Sequence, residues 1–478
     1  MRSSTLLNLL QLPLNMSIPH TIVVGGGLAG LSAAHTLLER GKQVLLLDKK
    51  PSLGGNSVKA SSGINGAHTA AQQALGIQDS IEGFYSDTAV SAGPDLARPA
   101  LITALTSNSA AAIAWLTGDF GVDLSVVSRL GGHSAARTHR DKSGAPGWAI
   151  TSTLMKKLTA AAAAGAGVEI VKSARVVKLL EEDGTVVGVE YESGGENTTA
   201  RGTVILATGG YAADFSPTGL LAQHRPDLLA LSTTNGDHAT GDGARLASAL
   251  AHPAGLCDLD QVQVHPTGFV HPSDPGAKTK FLAAEALRGV GGLLLDASGT
   301  RFVNEVDRRD AATAAMQAVE TAGRGPVRLV LNAAAATEVR SHCDFYVSKG
   351  LMKKYADAAE FAADAGIPLE NIQATFTSHS AYATGAEKDP FGKGIFQNAT
   401  YTSTEQLHVA IITPVVHYTM GGLSVDAHAR VLSAGGQPIP GLFAAGEVIG
   451  GVHGRNRLGG SSLLEAVVFG RIAGEGAA

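Results

Sequence analysis

An α/β chain with a second domain inserted into the first is the fold class that three observations predict. The stretch Thr21–Asp48 reads as strand, glycine turn, helix and strand. From about Val262 to Ile412 the composition shifts and interrupts that pattern. After it the early pattern returns, with a strand signal at Val431–Leu432, the turn Pro438–Gly441, the segment L-F-A-A-G-E and a closing helix from Ser462.

The opening unit carries the most information. The β-branched run Ile22–Val24 enters a glycine turn, a helix-period run follows from Leu28 to about Arg40, and Val44–Leu47 is a second apolar run ending in Asp48. Gly25, Gly27 and Gly30 have the G-x-G-x-x-G spacing, and Asp48 stands about 20 residues on, where an acid meets a dinucleotide's ribose. A backbone that must turn tightly and approach a pyrophosphate at a helix N-terminus needs these glycines. The unit is therefore Rossmann-like. At this point the nucleotide is open between FAD and a nicotinamide.

Composition narrows the class. At 478 residues the chain has room for two or three domains. With 44% hydrophobic and 17% charged residues it reads as an ordinary globular enzyme, and a net charge of −5 argues against a nucleic-acid partner. Only Cys257 and Cys343 occur. Two cysteines exclude a disulfide framework, a C-x-x-C-H haem attachment and a cysteine-ligated cluster, so redox chemistry must use an organic cofactor. Residues 1–20 read either as a targeting segment or as a lead-in: Arg2 precedes the apolar run Leu6–Leu14, no A-x-A-like cleavage site follows, and Met16 is an alternative start. Nowhere do some 18 apolar residues run together.

Further along, Lys49–Thr69 is a polar glycine loop too long for a simple connector. Residues 77–130 read as helical, with Ala100–Leu116 the clearest stretch and Trp115 in the core. Gly131–Trp148 reads as a loop carrying His133, Arg137, His139 and Arg140. A helix at Thr151–Ala163 leads to strands at Val168–Leu180 and Val186–Tyr191, joined by Glu182-Asp183-Gly184. Val204–Gly210 is a buried strand ending in a glycine turn, and helices dominate the inserted segment. A nucleotide domain split by a cap places a ligand cleft between the two.

Several motifs in order carry a family resemblance: K-A-S-S-G-I-N-G-A-H-T, L-G-G-H-S…R-T-H-R, A-T-G-G-Y, T-G-D-G, Q-V-H-P-T-G-F-V, F-L-A-A-E-A-L-R-G, R-F-V-N-E, V-V-H-Y-T-M-G-G, A-A-G-E-V and G-G-V-H-G-R-N-R-L-G-G-S-S-L-L-E-A. From about residue 20 to the end the chain resembles the soluble FAD-dependent fumarate reductases, most nearly the yeast type. The resemblance implies a Rossmann-like FAD-binding domain over 21–261 and 413–478, interrupted by an α+β capping domain over 262–412. It implies FAD, with Gly25, Gly27, Leu28, Ala29 and Gly30 on the pyrophosphate, and Asp48 and Lys49 at the adenosine ribose. Gly55, Asn56, Ser57, Ser61, Ser62, Gly63 and Ile64 would wrap the pyrophosphate, ribityl chain and flavin. Val176 would lie near the adenine, Thr208, Gly209 and Asp242 along the cofactor, and Glu447 at the ribityl end. Ser462 and Leu463 would start a helix whose N-terminus favours negative charge on reduced flavin. Membrane-complex relatives attach FAD through a histidine in the early loop; that position here resembles Asn56, so the expectation is non-covalent FAD.

Fumarate is a dianion, and burying two carboxylates without partners is prohibitive, so its pocket must gather arginines and histidines. The resemblance implies that His265, His417 and Arg457 grip the carboxylates and that Arg301 donates the proton, re-protonated through Glu285 and Arg288. Spacing alone would equally support a structural ion pair at Glu285 and Arg288. Arg308, Arg309, Arg137 and Arg140 read as surface or loop-tethering residues, His68 and His139 as structural, and Met420 as packing at a turn. His453 reads as either a site-supporting or a scaffolding residue. Ala284 stands where bacterial flavocytochrome-type relatives often carry threonine.

Three other readings compete with this one. The flavoprotein subunit of a membrane succinate dehydrogenase continues well beyond the N-R-L-G-G motif, whereas this chain stops 18 residues after Gly460. A urocanate reductase, ketosteroid dehydrogenase or L-aspartate oxidase relative keeps the scaffold and changes the substrate; the dual-carboxylate set of His265, His417 and Arg457 favours a C4 dicarboxylate. A non-enzymatic FAD-fold binding protein leaves the cap motifs without purpose. No second G-x-G-x-x-G is available for NAD(P)H, so reduced free flavin (FADH2 or FMNH2) or a flavin reductase is the expected electron donor. Fumarate and succinate are the expected substrate pair, no membrane complex is expected, and the compartment is cytoplasm or mitochondrion.

Overall fold

The computed structural model describes residues 20–142 and 145–478; the N-terminal stretch read as targeting segment or lead-in lies outside them except for His20. A six-stranded sheet forms the base, in the order Arg430–Leu432, Pro438–Ala444, Val204–Leu206, Thr21–Val24, Val44–Asp48, Val168–Lys172. All neighbours pair in parallel except the first two. Parallel strands covered on both faces are apolar throughout, and Ile22, Val23, Leu46 and Ile205 are fully buried. The helix Leu28–Glu39 packs between this sheet and the closing helix Ser461–Gly476.

The expected turn at Pro438–Gly441 is instead the first part of the strand Pro438–Ala444: Pro438 pairs with Leu432, and the strand continues into Leu442–Ala444 beside Val204–Leu206. The run expected at Val168–Leu180 is two strands broken at Ser173, whose φ is 52°. Residues expected to be helical up to 130 include the strand Val126–Ser128. The loop expected over 131–148 contains the strand Thr138–Arg140, and the following helix begins at Pro146. The helices Pro99–Ser107 and Ser109–Gly118 together make a 20-residue stretch apolar enough to cross a membrane by length and composition, with mean hydropathy 1.3. Its apolar residues, among them Leu101, Leu105 and Trp115, sit in the core beside the closing helix.

The segment expected as a cap over 262–412 carries a sheet as well as helices, and that sheet passes both expected bounds, taking in Ser232–Thr233 and all of Leu407–Thr419. Leu407–Thr419 is its central strand and pairs with Val262–Phe269, Val327–Leu331, Lys353–Tyr355 and Ser232–Thr233. Two register shifts interrupt the pairing of Val262–Phe269 with Leu407–Thr419. Gln263 faces Tyr418 and Val264 faces Val416, so His417 is the extra residue; a second shift falls between His265 and Gly268. Bulges re-aim side chains beside active sites.

Candidate active site

A cavity of about 950 Å3 runs from the glycine turn to the bulged strands. Of the residues expected to hold FAD, all but Gly30 and Ile64 line it. Those two stand behind its wall. A Cβ placed on Gly30 would lie 1.9 Å from the Gly25 carbonyl oxygen, so Gly30 lets helix and turn approach. Ile64 is fully buried in the small sheet with His139. Gly27 differs from Gly30: a Cβ there would meet nothing nearer than Ser57 Oγ at 3.9 Å, and one on Gly209 nothing within 4 Å. Both glycines face open cavity, which suits a ligand backbone passing close by.

The polar groups fit a dinucleotide. Asp48 accepts from the Gly26 and Lys50 amides at 2.8 Å each, which pins its carboxylate at the end of its strand. Lys49 Nζ donates to Asp242 Oδ2 at 2.7 Å and to Thr240 Oγ1 at 2.8 Å. Burial pushes Asp242 up, but Lys49 more than offsets this and holds it ionised. Thr208 Oγ1 and Ser61 Oγ line the cavity and are buried without hydrogen-bond partners among the described residues. A bound group rich in acceptors would satisfy them. Asn56 Nδ2 donates to Asn235 Oδ1 at 2.6 Å and its Oδ1 accepts from the Gly236 amide at 2.9 Å. An amide tied this way offers no nucleophile for covalent attachment.

At the far end the cavity meets a cationic cluster. Arg309, His417 and Arg457 line it, and His265, Glu285 and Arg288 stand directly behind. Arg309 donates from Nε and NH2 to Glu285 Oε2 at 2.8 and 2.5 Å, and from NH1 to Gln263 Oε1 at 2.7 Å. Arg457 NH2 reaches the same Gln263 oxygen at 3.1 Å. One amide carbonyl thus ties two guanidiniums together, and Gln263 Nε2 returns a bond to the Arg457 carbonyl at 2.8 Å.

Electrostatics assign the charges. Burial pushes Glu285 up, but Arg309 and Arg288 overcome it and hold the carboxyl down at about 2. Burial, then repulsion from Arg309, lowers Arg457 to about 10. No carboxylate among the described residues hydrogen-bonds it: Glu447 and Glu465 act on it through space, its guanidinium lies 4.3 Å over the Tyr418 ring, and Tyr418 donates to the buried Glu465. His453 Nε2 lies 3.2 Å from Glu465, which makes it a scaffold for that pair. His265 and His417, with ring centroids 5.1 Å apart, are held well below the ordinary histidine value by burial and the nearby arginines. Both are therefore neutral. His265 Nδ1 accepts from the Thr267 amide at 3.2 Å, so its proton sits on Nε2, which has no partner among the described residues.

Arg301, the expected proton donor, lies elsewhere. Its guanidinium binds Glu305 at 2.8 and 3.2 Å and Asp389 at 2.7 Å, and it neither lines the cavity nor touches Glu285. Burial opposes its charge, yet Glu305 and Asp389 hold it more firmly protonated than an ordinary arginine. Arg309, read from sequence as a surface or tethering residue, occupies the position that Arg301 was expected to fill. The physical reason is chain direction: R-F-V-N-E is a turn in the cap, and only where the next helix begins, at Arg309, does the chain reach Glu285. Gln263 was also missed. It carries no charge, and its contacts are to Arg309 and Arg457, which lie far from it in sequence.

Arg137, read as tethering, is fully buried and binds Asp79 at 2.8 Å and Asp87 at 2.5 Å. His139 is buried against Thr69, and Met420 is buried at the turn after the central strand.

A family model described as an FAD binding domain matches residues 20–463. A fumarate reductase of Schizosaccharomyces pombe is 48% identical over 95% of this chain and 88% of its own length. Fumarate reductase 1 of Saccharomyces cerevisiae is 41% identical over 96% and 98% of the two chains. Among solved structures, the open conformation of a flavocytochrome c3 fumarate reductase is similar with a TM-score of 0.76 and 32% identity, covering 96% of this chain and 78% of that one. Matched over nearly its whole length to that model and to yeast relatives over most of theirs, this chain is a flavoprotein oxidoreductase that takes FAD and belongs to the FAD-binding family of the fumarate reductases.

Proposed function

We propose that this chain reduces fumarate to succinate, with Arg309 as the proton donor. The observation that carries the reading is the Gln263 carbonyl joining Arg309 to Arg457 at the end of the cofactor cavity, with Glu285 behind Arg309. Two cations and the neutral His417 on one wall, with the neutral His265 directly behind it, suit a small dicarboxylate dianion. When bound, FAD supplies hydride from N5. Arg457 and the histidines hold the carboxylates, Arg457 by charge and His265 by its Nε2 proton. Arg309 gives a guanidinium proton to the substrate carbon next to the one receiving hydride. Glu285, ionised at rest, then carries a proton from Arg288 to Arg309, and Arg288 is restored from solvent. The net proton comes from water. A guanidinium with a pKa above about 12 is a weak acid, so this delivery needs a strongly basic carbanion and an immediate resupply.

In this reading the glycine turn, Asp48 and the early loop hold FAD non-covalently, and residues 262–412 act as a cap over the substrate end. Electrons come from reduced free flavin or a flavin reductase. Support for an external donor is an aromatic stretch of the cavity lining, where Phe281 and Phe345 are half-exposed with rings 6.3 Å apart and Tyr346 packs against Phe345. Flat aromatic walls suit a flat ring system.

Anaerobic oxidation of reduced methyl viologen or FMNH2 by the purified yellow protein, with and without fumarate, tests the proposal. Fumarate-dependent oxidation is expected. A flavin that is reduced but then ignores fumarate would move the assignment to another unsaturated acid on this scaffold.

A further inference from the structure

The buried charge cluster around Arg301 has no part in the proposed chemistry, yet its Glu305 carbonyl touches Arg288 and its turn leads directly into Arg309. Arg301, Glu305, Asp389 and Lys393 are each at most 7% exposed and pair among themselves. Arg301 grips Glu305 and Asp389, Lys393 Nζ donates to Glu305 Oε2 at 2.9 Å, and Asp389 Oδ1 accepts from the Phe391 and Lys393 amides at 2.9 and 3.2 Å. Two cations and two anions leave the cluster neutral. Arg301 NH2 also donates to the Val303 carbonyl at 3.2 Å, closing the turn on itself.

That turn has two outputs. Its Glu305 carbonyl accepts from Arg288 NH1, whereas Arg288 Nε and NH2 have no partner among the described residues. A few residues on, it delivers Arg309 to Glu285 and Gln263. Glu285 and Arg288 share the short helix Glu285–Gly289, so the placement of Arg309 against them depends on this turn, and the turn's shape depends on the cluster.

We propose that Arg301, Glu305, Asp389 and Lys393 form a positioning clamp that sets the register of the proton route without exchanging protons with it. This rests on the reading of Arg309 as proton donor. Buried, mutually paired ions contribute little net stability but define geometry closely, which suits such a role. A displacement of about 1 Å at a proton donor can cost on the order of 100-fold in rate.

The test uses the FAD-loaded enzyme with Arg301→Lys and Asp389→Asn, chosen because both keep volume and leave no acid without a cation. FAD content per chain, flavin reduction by reduced viologen without fumarate, KM for fumarate, kcat and the solvent deuterium isotope effect on kcat are read in parallel. The clamp predicts unchanged FAD content and flavin reduction, KM within about two-fold, kcat lowered about 10-fold, and a larger isotope effect. It further predicts that Arg301→Lys retains more activity than Arg301→Met. Unchanged kcat and isotope effect in both variants would overturn it. So would a parallel fall of FAD content, KM affinity and kcat, the pattern of plain destabilisation. If the unsubstituted enzyme oxidises no donor with fumarate, the underlying reading fails first, before any variant is compared.

Discussion

Arg309 holds Glu285 through Nε at 2.8 Å and NH2 at 2.5 Å, both on one carboxylate oxygen, while burial and the two neighbouring arginines keep that carboxylate charged. This pair, not one involving Arg301, is where we propose proton delivery. Arg309→Ala should lower kcat by about 10²–10⁴-fold, the range of a lost general acid, with FAD retained. Steady-state fumarate reduction and the flavin absorbance of the same sample check it. Full activity in Arg309→Ala would refute the assignment.

Gln263 joins two guanidiniums that otherwise repel. Gln263→Leu removes hydrogen bonds to two charged groups, worth about 1.5–3 kcal/mol each, and frees Arg457 to move. The expected result is a KM for fumarate raised about 10-fold or more, with a smaller change in kcat. A KM that stays put would mean that the bridge is not needed for binding.

Two glycines of the turn should fail in different ways. Gly30→Ala drives a methyl into the Gly25 carbonyl, so the protein should lose thermal stability with or without flavin. Gly27→Ala meets open cavity, so melting of the flavin-free protein should be unchanged while FAD retention falls. Calorimetry on stripped and reloaded samples separates the two.

Burial raises the Glu447 carboxyl to about 7, above its ordinary 4.5, despite bonds from the Thr419 amide at 3.0 Å and hydroxyl at 3.2 Å. The folded state therefore favours the protonated form. Its contribution is full below pH 4.5 and is lost as the pH rises through 7, up to about 3 kcal/mol. Flavin-stripped protein should melt lower at pH 8 than at pH 5, and Glu447→Gln should reduce that difference. An identical pH dependence in the variant would discount Glu447 as its source.

Asn56 is fully engaged with Asn235 and Gly236. Acid precipitation should leave the yellow flavin in the supernatant, read by its absorbance. Colour remaining in the washed pellet would show a covalent link elsewhere in the early loop.

Residue type and spacing alone determined the cofactor end: Gly25, Gly27, Gly30 and Asp48 lie within one β-α-β unit, where local geometry follows from chain order, and the structure puts Gly25, Gly27 and Asp48 on the cavity. The need for cationic residues was legible because a dianion requires them, and His265, Arg288, His417 and Arg457 each stood in a short motif, whereas Arg309 read as a surface or tethering residue. Which arginine faces Glu285 was decided by tertiary structure. Arg301 and Arg309 sit close together in sequence, and only the path of the cap turn, closed by Asp389 from a distant segment, sends one into a buried ion cluster and the other to the cavity. The aim of His417 depended likewise on a bulge, a mismatch between two strands that neither strand's own sequence contains, and Gln263 gained its role only through arginines distant in sequence.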